Sequence, residues 1–173
     1  MQPFRLGPVL YKTHLPMKKL NLLALTLLFS ATVLMAQNRE VRNVDDFTRI
    51  SFGFPGKLYL RQGSPQKVEL EGDREVLEEI ETEVSDGRLK IGRPGKWFDR
   101  GSDDKRINVY ITVPNIEPVS VSGSGSVIGQ SKIRTNDLSL AVSGSGSMSL
   151  DAEANGNVKA DVSGSGDIKL GGH

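Results

Sequence analysis

The residues that most suggest chemistry are serines held between glycines, in a motif that occurs three times. Val121-Ser-Gly-Ser-Gly125 recurs as Val142-Ser-Gly-Ser-Gly146 and as Val162-Ser-Gly-Ser-Gly166. A serine on a glycine turn could act as a nucleophile, but it needs a neighbouring base. The two histidines are His14, ahead of the domain, and His173. We therefore expect neither a Ser-His-Asp triad nor a histidine metal site inside the fold.

The two glycine-framed motifs that bind or activate substrates are also missing. A nucleophile elbow has the pattern Gly-x-Ser-x-Gly, and the residue two positions after Gly123 is Gly125. A dinucleotide-binding loop requires a third glycine where the three repeats hold Ile128, Ser149 and Lys169. We interpret the serines between the glycines as turn residues; they are Ser124, Ser145 and Ser165.

Acidic residues offer two further kinds of site. Asp103-Asp104 and Glu78-Glu79 could be read as paired carboxylates for glycoside cleavage, but adjacent residues on a strand point to opposite faces. Asp167 resembles a calcium ligand of a β-roll, whereas the matching positions in the other repeats are Ser126 and Ser147. We interpret all of these residues as solvated, and the sequence predicts no catalytic residue, no metal site and no cofactor.

The best binding candidates are two aromatic residues in a polar segment. Trp97 and Phe98 lie between Gly92 and Lys105, a stretch of glycine, proline and charge that we predict to be a loop. Adjacent aromatic rings could stack on a sugar or enter a partner's pocket, with Arg100 beside them as a weaker candidate. The alternative is that both rings cap the apolar core.

The Val-Ser-Gly-Ser-Gly motif belongs to a longer repeat, with spacings of 21 and 20 residues. Apolar residues alternate with polar ones on both sides of each motif, which indicates strands with one buried face. A repeat of this size fits one coil of a solenoid better than a flexible linker. The sequence therefore predicts stacked coils with Val121, Val142 and Val162 in one interior column. The predicted turn glycines are Gly123, Gly125, Gly144, Gly146, Gly164 and Gly166.

The part before the repeats, residues 44–113, also predicts strands. The longest alternation places Ile107, Val109, Ile111 and Val113 on one face. Ser85-Asp-Gly-Arg88 between two alternating runs predicts a hairpin. One or two helical turns are expected after Asp73, a favourable N-cap residue.

The start of the chain predicts export. Lys18 and Lys19 precede the apolar run Leu20–Leu34, which is typical of a signal peptide cleaved after Ala36. Met17 is then the expected initiator, and an uncleaved anchor is the alternative. Residues 1–36 hold four basic and no acidic residues, so residues 37–173 carry 18 basic and 21 acidic residues. This balance argues against nucleic-acid binding. The absence of cysteine excludes disulfides and a lipid-modified cysteine, so we expect no lipoprotein.

The repeated motif, together with Phe47-Thr-Arg-Ile-Ser51 and the hairpin segment Thr82–Ile91, resembles the putative auto-transporter adhesin head GIN domain. This domain of unknown function is common in exported proteins of Bacteroidota. The resemblance covers residues 44–173 and implies a right-handed parallel β-helix. Family members usually carry further Ser-Gly coils, so we expect the domain to be truncated at its C-terminal end.

Together these patterns predict an exported, all-β, non-enzymatic protein of the periplasm or cell surface. We expect a structural or adhesive role based on repeated weak contacts, with a surface glycan or protein as partner. A carbohydrate-binding or polysaccharide-processing protein is the alternative, and a periplasmic sensor is a third reading. An open last coil would favour edge-to-edge self-association.

Overall fold

The alternating pattern of the sequence forms two β-sheets. The computed structural model describes residues 38–93 and 107–172. Its elements are β1 (Arg39–Arg42), β2 (Arg49–Gly53), β3 (Gly56–Gln62), β4 (Lys67–Glu71), α1 (Arg74–Glu79), β5 (Glu81–Ser85), β6 (Arg88–Gly92), β7 (Ile107–Val113), β8 (Pro118–Gly123), β9 (Ser126–Thr135), β10 (Leu138–Gly144), β11 (Ser147–Ala154), β12 (Val158–Gly164) and β13 (Asp167–Gly172). Within the described ranges, no helix has the length and apolar character needed to cross a membrane.

The strands are divided between a seven-stranded and a six-stranded sheet. The larger sheet has the order β1-β4-β7-β3-β9-β11-β13, and the smaller has the order β12-β10-β8-β2-β6-β5. From β8 onward, consecutive strands alternate between the two sheets. The Ser-Gly turns join β8 to β9, β10 to β11 and β12 to β13.

The predicted right-handed parallel β-helix is wrong, because both sheets are mixed and neither is closed. In the larger sheet β4 pairs antiparallel with both β1 and β7, while β3 pairs parallel with β7. In the smaller sheet β5 pairs antiparallel with β6. In the smaller sheet, the physical reason is the short β5–β6 connection: Asp86 and Gly87 both have positive φ, as a two-residue hairpin turn requires. Such a connection can only join antiparallel strands.

Within the repeats, the strands pair parallel and in register. Val142 lies beside Val121 on one side and beside Val162 on the other. Met148 is likewise placed between Val127 and Ile168. Identical positions of successive repeats therefore form columns across each sheet.

One apolar core lies between the two sheets. The larger sheet contributes residues such as Leu58, Val109 and Met148, and the smaller contributes residues such as Phe52 and Leu140; all five side chains are inaccessible to solvent. These residues alternate with exposed ones along each strand, which places them on the inner faces. Helix α1 follows Asp73 as its N-cap residue and adds Val76 and Leu77 to the same core.

The glycines of the repeated turns have two different physical roles. Gly123, Gly144 and Gly164 have φ values of 81°, 103° and 113°, a region that residues with a Cβ rarely adopt. In the second and third motifs, the second glycine lies against the preceding repeat. A Cβ on Gly146 would come within 2.7 Å of the Gly125 carbonyl oxygen, and one on Gly166 would meet the Gly146 carbonyl oxygen in the same way. The turns can therefore stack closely only without side chains at these positions.

Strand β9, the second strand of the first repeat, departs from the regular register of the repeats. The register of β9 against β11 shifts between Ser149 and Asp151, which leaves extra residues in β9. Gly129 lies at this irregularity, where an added Cβ would come within 3.2 Å of a Leu150 methyl carbon. The missing side chain makes room for Leu150, which is 4% exposed. The backbone N–H of Gln62 donates to the Ser131 hydroxyl at 2.9 Å, which fixes the bulged segment to β3.

Candidate functional site: an asparagine-lined cleft

The aromatic binding candidates from the sequence, Trp97 and Phe98, lie outside the described residues, as does Arg100. Asp103 and Asp104 lie outside them too. Glu78 and Glu79 are exposed on α1, where they form ion pairs with Arg74 at 3.1 Å and with Arg93 at 3.0 Å.

The Ser-Gly turns form a corner along which backbone groups of successive repeats bond to one another. The N–H of Ser145 donates to the Gly123 carbonyl at 2.9 Å, and the N–H of Ser165 donates to the Gly144 carbonyl at 2.9 Å. Ser124, Ser145 and Ser165 are exposed. Next to them the hydroxyl of Ser147 donates to that of Ser126 at 2.9 Å. This corner offers hydroxyls, and its structural role is to hold neighbouring turns together.

The most perturbed titratable groups lie on the outer face of the larger sheet. Arg39 of β1 pairs with Glu71 of β4 at 2.6 Å, and the Asn108 amide donates to the same carboxylate at 3.3 Å. The hydrogen bond from Arg39 lowers the pKa of the Glu71 carboxyl against the opposing effect of burial. Burial raises the pKa of the nearby Tyr110 hydroxyl.

Both faces of the Tyr110 ring in this cluster are covered, one by Tyr59 and one by Arg39. Tyr59 and Tyr110 stack with their centroids 5.1 Å apart, and the Arg39 guanidinium lies 4.4 Å from the Tyr110 centroid. Ile128 stands beside Tyr59 on the next strand. We therefore assign the cluster to holding the edge strand β1 in place.

A cleft of about 840 Å³ lies where the β7–β8, β9–β10 and β11–β12 connections meet. Its volume falls in the range of small-molecule binding sites. Polar residues predominate in its lining, and four of them are asparagines. The lining consists of Thr48, Asn115, Ile116, Glu117, Pro118, Arg134, Thr135, Asn136, Asp137, Leu138, Ser139, Asn155, Asn157 and Lys159.

Backbone hydrogen bonds fix the two repeat turns of the cleft against each other. The N–H of Gly156 donates to the Asn136 carbonyl at 2.7 Å, and that of Leu138 donates to the Asn157 carbonyl at 2.9 Å. A carboxylate oxygen of Asp137 accepts the N–H of Asn157 at 2.8 Å. The cleft wall is therefore built from successive repeats, in the same way as the Ser-Gly corner.

The side chain of Gln62 on β3 forms hydrogen bonds with backbone groups next to the cleft. Its side-chain nitrogen donates to the carbonyls of Arg134 at 2.8 Å and Pro114 at 3.0 Å, and its oxygen accepts the N–H of Arg134 at 2.7 Å. One side chain thus ties β3, the end of β7 and β9 together. Arg134 also pairs with Glu153 at 3.4 Å, with both side chains largely exposed.

The chemistry of the cleft is that of hydrogen bonding. Among the described residues, the side-chain amides of Asn115, Asn136, Asn155 and Asn157 have no hydrogen-bond partner, so each offers donors and an acceptor. Beneath them, Ile116 is inaccessible to solvent and Leu138 is 1% exposed, so these side chains form a buried floor, and the half-buried Pro118 presents apolar surface to the cleft. No cluster of three or more His, Cys, Asp or Glu side chains suited to a metal occurs in residues 38–93 and 107–172.

The sequence analysis missed this cleft, although a signal for it exists. Asn136-Asp137 is followed 20 residues later by Gly156-Asn157, which is the spacing of the Ser-Gly motif between the second and third repeats. Asparagine and aspartate are also ordinary turn residues, so the pattern alone does not distinguish a binding cleft from two tight turns. Asn115 and Thr48 come from other segments and join the cleft only through the fold.

Comparisons with known proteins agree with this architecture. A family model described as "Putative auto-transporter adhesin, head GIN domain" matches residues 46–173. No functionally curated protein matches the sequence. Three solved structures share the fold at low sequence identity.

A putative adhesin from Parabacteroides merdae has a TM-score of 0.63 and 18% identity, with 77% of this chain and 55% of that chain covered. A putative lipid binding protein from Parabacteroides distasonis has a TM-score of 0.54 and 22% identity, and the match covers 78% of this chain and 61% of that chain. A putative adhesin from Bacteroides fragilis has a TM-score of 0.53 and 15% identity, and the match covers 77% of this chain and 96% of that chain. The chain thus spans less than two thirds of the first two neighbours.

Proposed function

Because the chain belongs to the putative auto-transporter adhesin, head GIN domain family, we propose that it is an exported, non-enzymatic adhesive domain that binds saccharides in the asparagine-lined cleft. The signal-peptide pattern of residues 18–36 supports export to the periplasm or the cell surface. The family description supports an adhesive role, and the chemistry of the cleft supports the ligand class.

The observation that carries the proposal is the combination of free amides and apolar surface in the cleft. A sugar ring presents hydroxyls around its rim and C–H groups on its faces. Asn136 and Asn155 can each donate to one hydroxyl and accept from another. Pro118, which is half-buried, can contact the C–H face, while Ile116 and Leu138 lie buried beneath the cleft. A volume of about 840 Å³ is large enough for more than one sugar unit, since drug-sized ligands occupy about 300–1,000 Å³.

The same cleft supports binding rather than cleavage. Glycoside hydrolysis uses two carboxyl groups, one on each side of the bond to be broken. Two acidic residues line the cleft, Glu117 and Asp137. An oxygen of Asp137 already accepts a backbone N–H of the neighbouring turn, which gives that carboxylate a structural role. The role of the domain would therefore be to hold a glycan, with weak single contacts strengthened when several copies engage one surface.

A glycan array with the purified chain displayed on multivalent beads tests the proposal. We expect selective binding that is lost in an Asn136→Ala, Asn155→Ala double variant with unchanged thermal unfolding. Asn43→Ala, an exposed asparagine outside the cleft, serves as the matched control and should bind normally. Binding that survives the double variant would place the ligand elsewhere, and no binding by the folded wild type would refute the saccharide assignment.

A further inference from the structure

The outer face of the larger sheet carries basic and aromatic side chains along its central strand, β3. Leu58 and Leu60 of this strand are inaccessible to solvent and point into the core, so Lys57, Tyr59 and Arg61 point outward. Lys57 and Arg61 are exposed, and Tyr59 is half-buried between them. The rise of a β-strand places the Cα atoms of the two cations about 13 Å apart. These three outward-facing residues are here called the β3 row.

The two cations of the β3 row have no acidic partner within the described part of the chain. Lys57 lies beside Asn108 and Ser126 on the neighbouring strands, and all three side chains face outward. Arg61 lies beside the uncharged Thr112. Neither adjoining strand, β7 or β9, contains an acidic residue. Both positive charges are therefore available to an anionic group from outside the protein.

The acidic side chains on this face lie at least two strands away from β3. On β4, Glu71 pairs with Arg39 at 2.6 Å. Glu69 on the same strand pairs with Lys67 at 3.0 Å. On the other side, Asp151 of β11 is separated from β3 by the width of β9. The centre of the face is thus locally basic, although residues 37–173 hold more acidic than basic residues.

The surroundings of the β3 row narrow the kind of anion that it fits. Strand β3 pairs with β7 and β9 along its two sides, so an extended acidic peptide cannot add to it as a further strand. Single-stranded nucleic acid needs free ring faces on which bases stack. Tyr110 covers one face of Tyr59, and Ile128 stands on the other side. Strands added at either edge would widen the sheet and leave this central face open.

We propose that the β3 row binds an acidic polysaccharide, one that carries carboxylate or sulfate groups and lies along the strand. Lys57 and Arg61 pair with anionic groups on separate sugar units, and the forked guanidinium of Arg61 holds two oxygens of one group. The hydroxyl of Tyr59, which has no hydrogen-bond partner among the described residues, donates to a sugar oxygen between them. This site binds by charge, and it is separate from the asparagine-lined cleft at the strand connections.

Biolayer interferometry with immobilised polymers tests the site, using polygalacturonate beside its methyl-esterified form and dextran sulfate beside dextran. Each pair shares one backbone and differs in charge. We expect binding to at least one acidic polymer and to neither neutral one, with affinity falling as salt rises. Lys57→Gln and Arg61→Gln should each raise the Kd about two- to fivefold, the range for exposed ion pairs. Tyr59→Phe, which keeps the stacked ring, should raise the Kd about twofold or more.

Two controls separate this site from net charge and from the cleft. Lys90→Gln removes an exposed lysine from the smaller sheet and should bind as the wild type does. The Asn136→Ala, Asn155→Ala variant should also keep this binding, so that failure here and failure of the cleft proposal are distinguishable. Binding to neither acidic polymer, or undiminished binding by a Lys57→Gln, Arg61→Gln double variant, would overturn the proposal. So would an equal loss in Lys90→Gln, or tighter binding to polyglutamate or to phosphatidylglycerol vesicles than to both acidic polysaccharides.

Discussion

The close approach of Gly146 to the preceding repeat leads to a quantitative prediction for Gly146→Ala. An added Cβ would lie 2.7 Å from the Gly125 carbonyl oxygen and 2.8 Å from a Val121 methyl carbon. Real Cβ contacts essentially never fall below 3.0 Å. Both obstacles are held in place, one by the backbone of the neighbouring turn and the other by the core. The turn must therefore move, and the N–H of Ser147, which donates to that same carbonyl at 3.0 Å, moves with it.

We expect Gly146→Ala to lower the free energy of unfolding by about 2–3 kcal/mol, the upper part of the range for overpacked sites. For a domain of this size, each kcal/mol lowers Tm by about 3–5 °C, so the Tm should fall by about 6–15 °C. Urea unfolding followed by circular dichroism, with thermal unfolding beside it, measures both quantities.

Two matched variants separate the clash from other effects. Ser145→Ala, at an exposed neighbouring position, should change stability by less than about 0.5 kcal/mol. Gly123→Ala tests strain alone, because Gly123 has φ of +81° and no atom within 4 Å of an added Cβ. It should cost about 1–2 kcal/mol. A Gly146→Ala variant as stable as Ser145→Ala, or more stable than Gly123→Ala, would refute the reasoning.

Three further predictions concern the edge strand β1, the cleft and the aromatic segment. The pKa of Glu71 is lower in the folded chain than in the unfolded one, so its charge stabilises the fold above the usual carboxyl pKa of about 4.3 and this contribution is lost as pH falls through the folded value. Thermal unfolding between pH 6 and pH 3 should therefore show a steeper loss for the wild type than for Glu71→Gln; equal slopes for the two would contradict the prediction. Gln62→Ala removes three exposed hydrogen bonds to the backbone of Pro114 and Arg134 and should cost about 0.5–1.5 kcal/mol in urea unfolding, whereas the exposed Gln130→Ala should be neutral. In a Trp97→Ala, Phe98→Ala variant, loss of glycan binding with unchanged stability would assign these rings to the ligand, and loss of stability alone would assign them to the core.

The register of the repeats could be predicted from sequence, because equivalent positions of successive repeats hold residues of one chemical type at a nearly fixed spacing. Val121, Val142 and Val162 occupy equivalent places on parallel strands. The Asp86-Gly87 hairpin and the helix after Asp73 were also predicted correctly, since both depend on local backbone preferences. These features are encoded by residues close to one another in the chain.

The antiparallel pairing of β4 in the larger sheet could not be predicted in the same way. Period-2 alternation shows that a segment is a strand with one buried face, but it does not reveal its neighbours. The alternation in β4 places Val68 and Leu70 inward equally well in a parallel or an antiparallel sheet. The neighbours of β4 are decided by the position of β7 between β3 and β4, which brings together residues far apart in sequence.

The candidate cleft shows the same limit. The two repeat turns recur with the period of the Ser-Gly motif, yet Asn115 and Thr48 reach the cleft from separate segments. Gln62 binds Arg134 across 72 residues of sequence. Only the fold brings these groups together, so the sequence could predict the turns and not the site that they form.

The stacked glycines Gly125, Gly146 and Gly166 also limit how the length of such a chain can change in evolution. Each of these glycines is required by a carbonyl of the turn beneath it, and Gly125 and Gly146 provide the carbonyls that require Gly146 and Gly166. A deletion of a few residues would bring a side chain into the column and move apolar residues outward at once. Gain or loss of a whole repeat keeps every contact in the column equivalent. We therefore expect homologues to differ in length by entire repeats, with the spacing inside each repeat nearly constant.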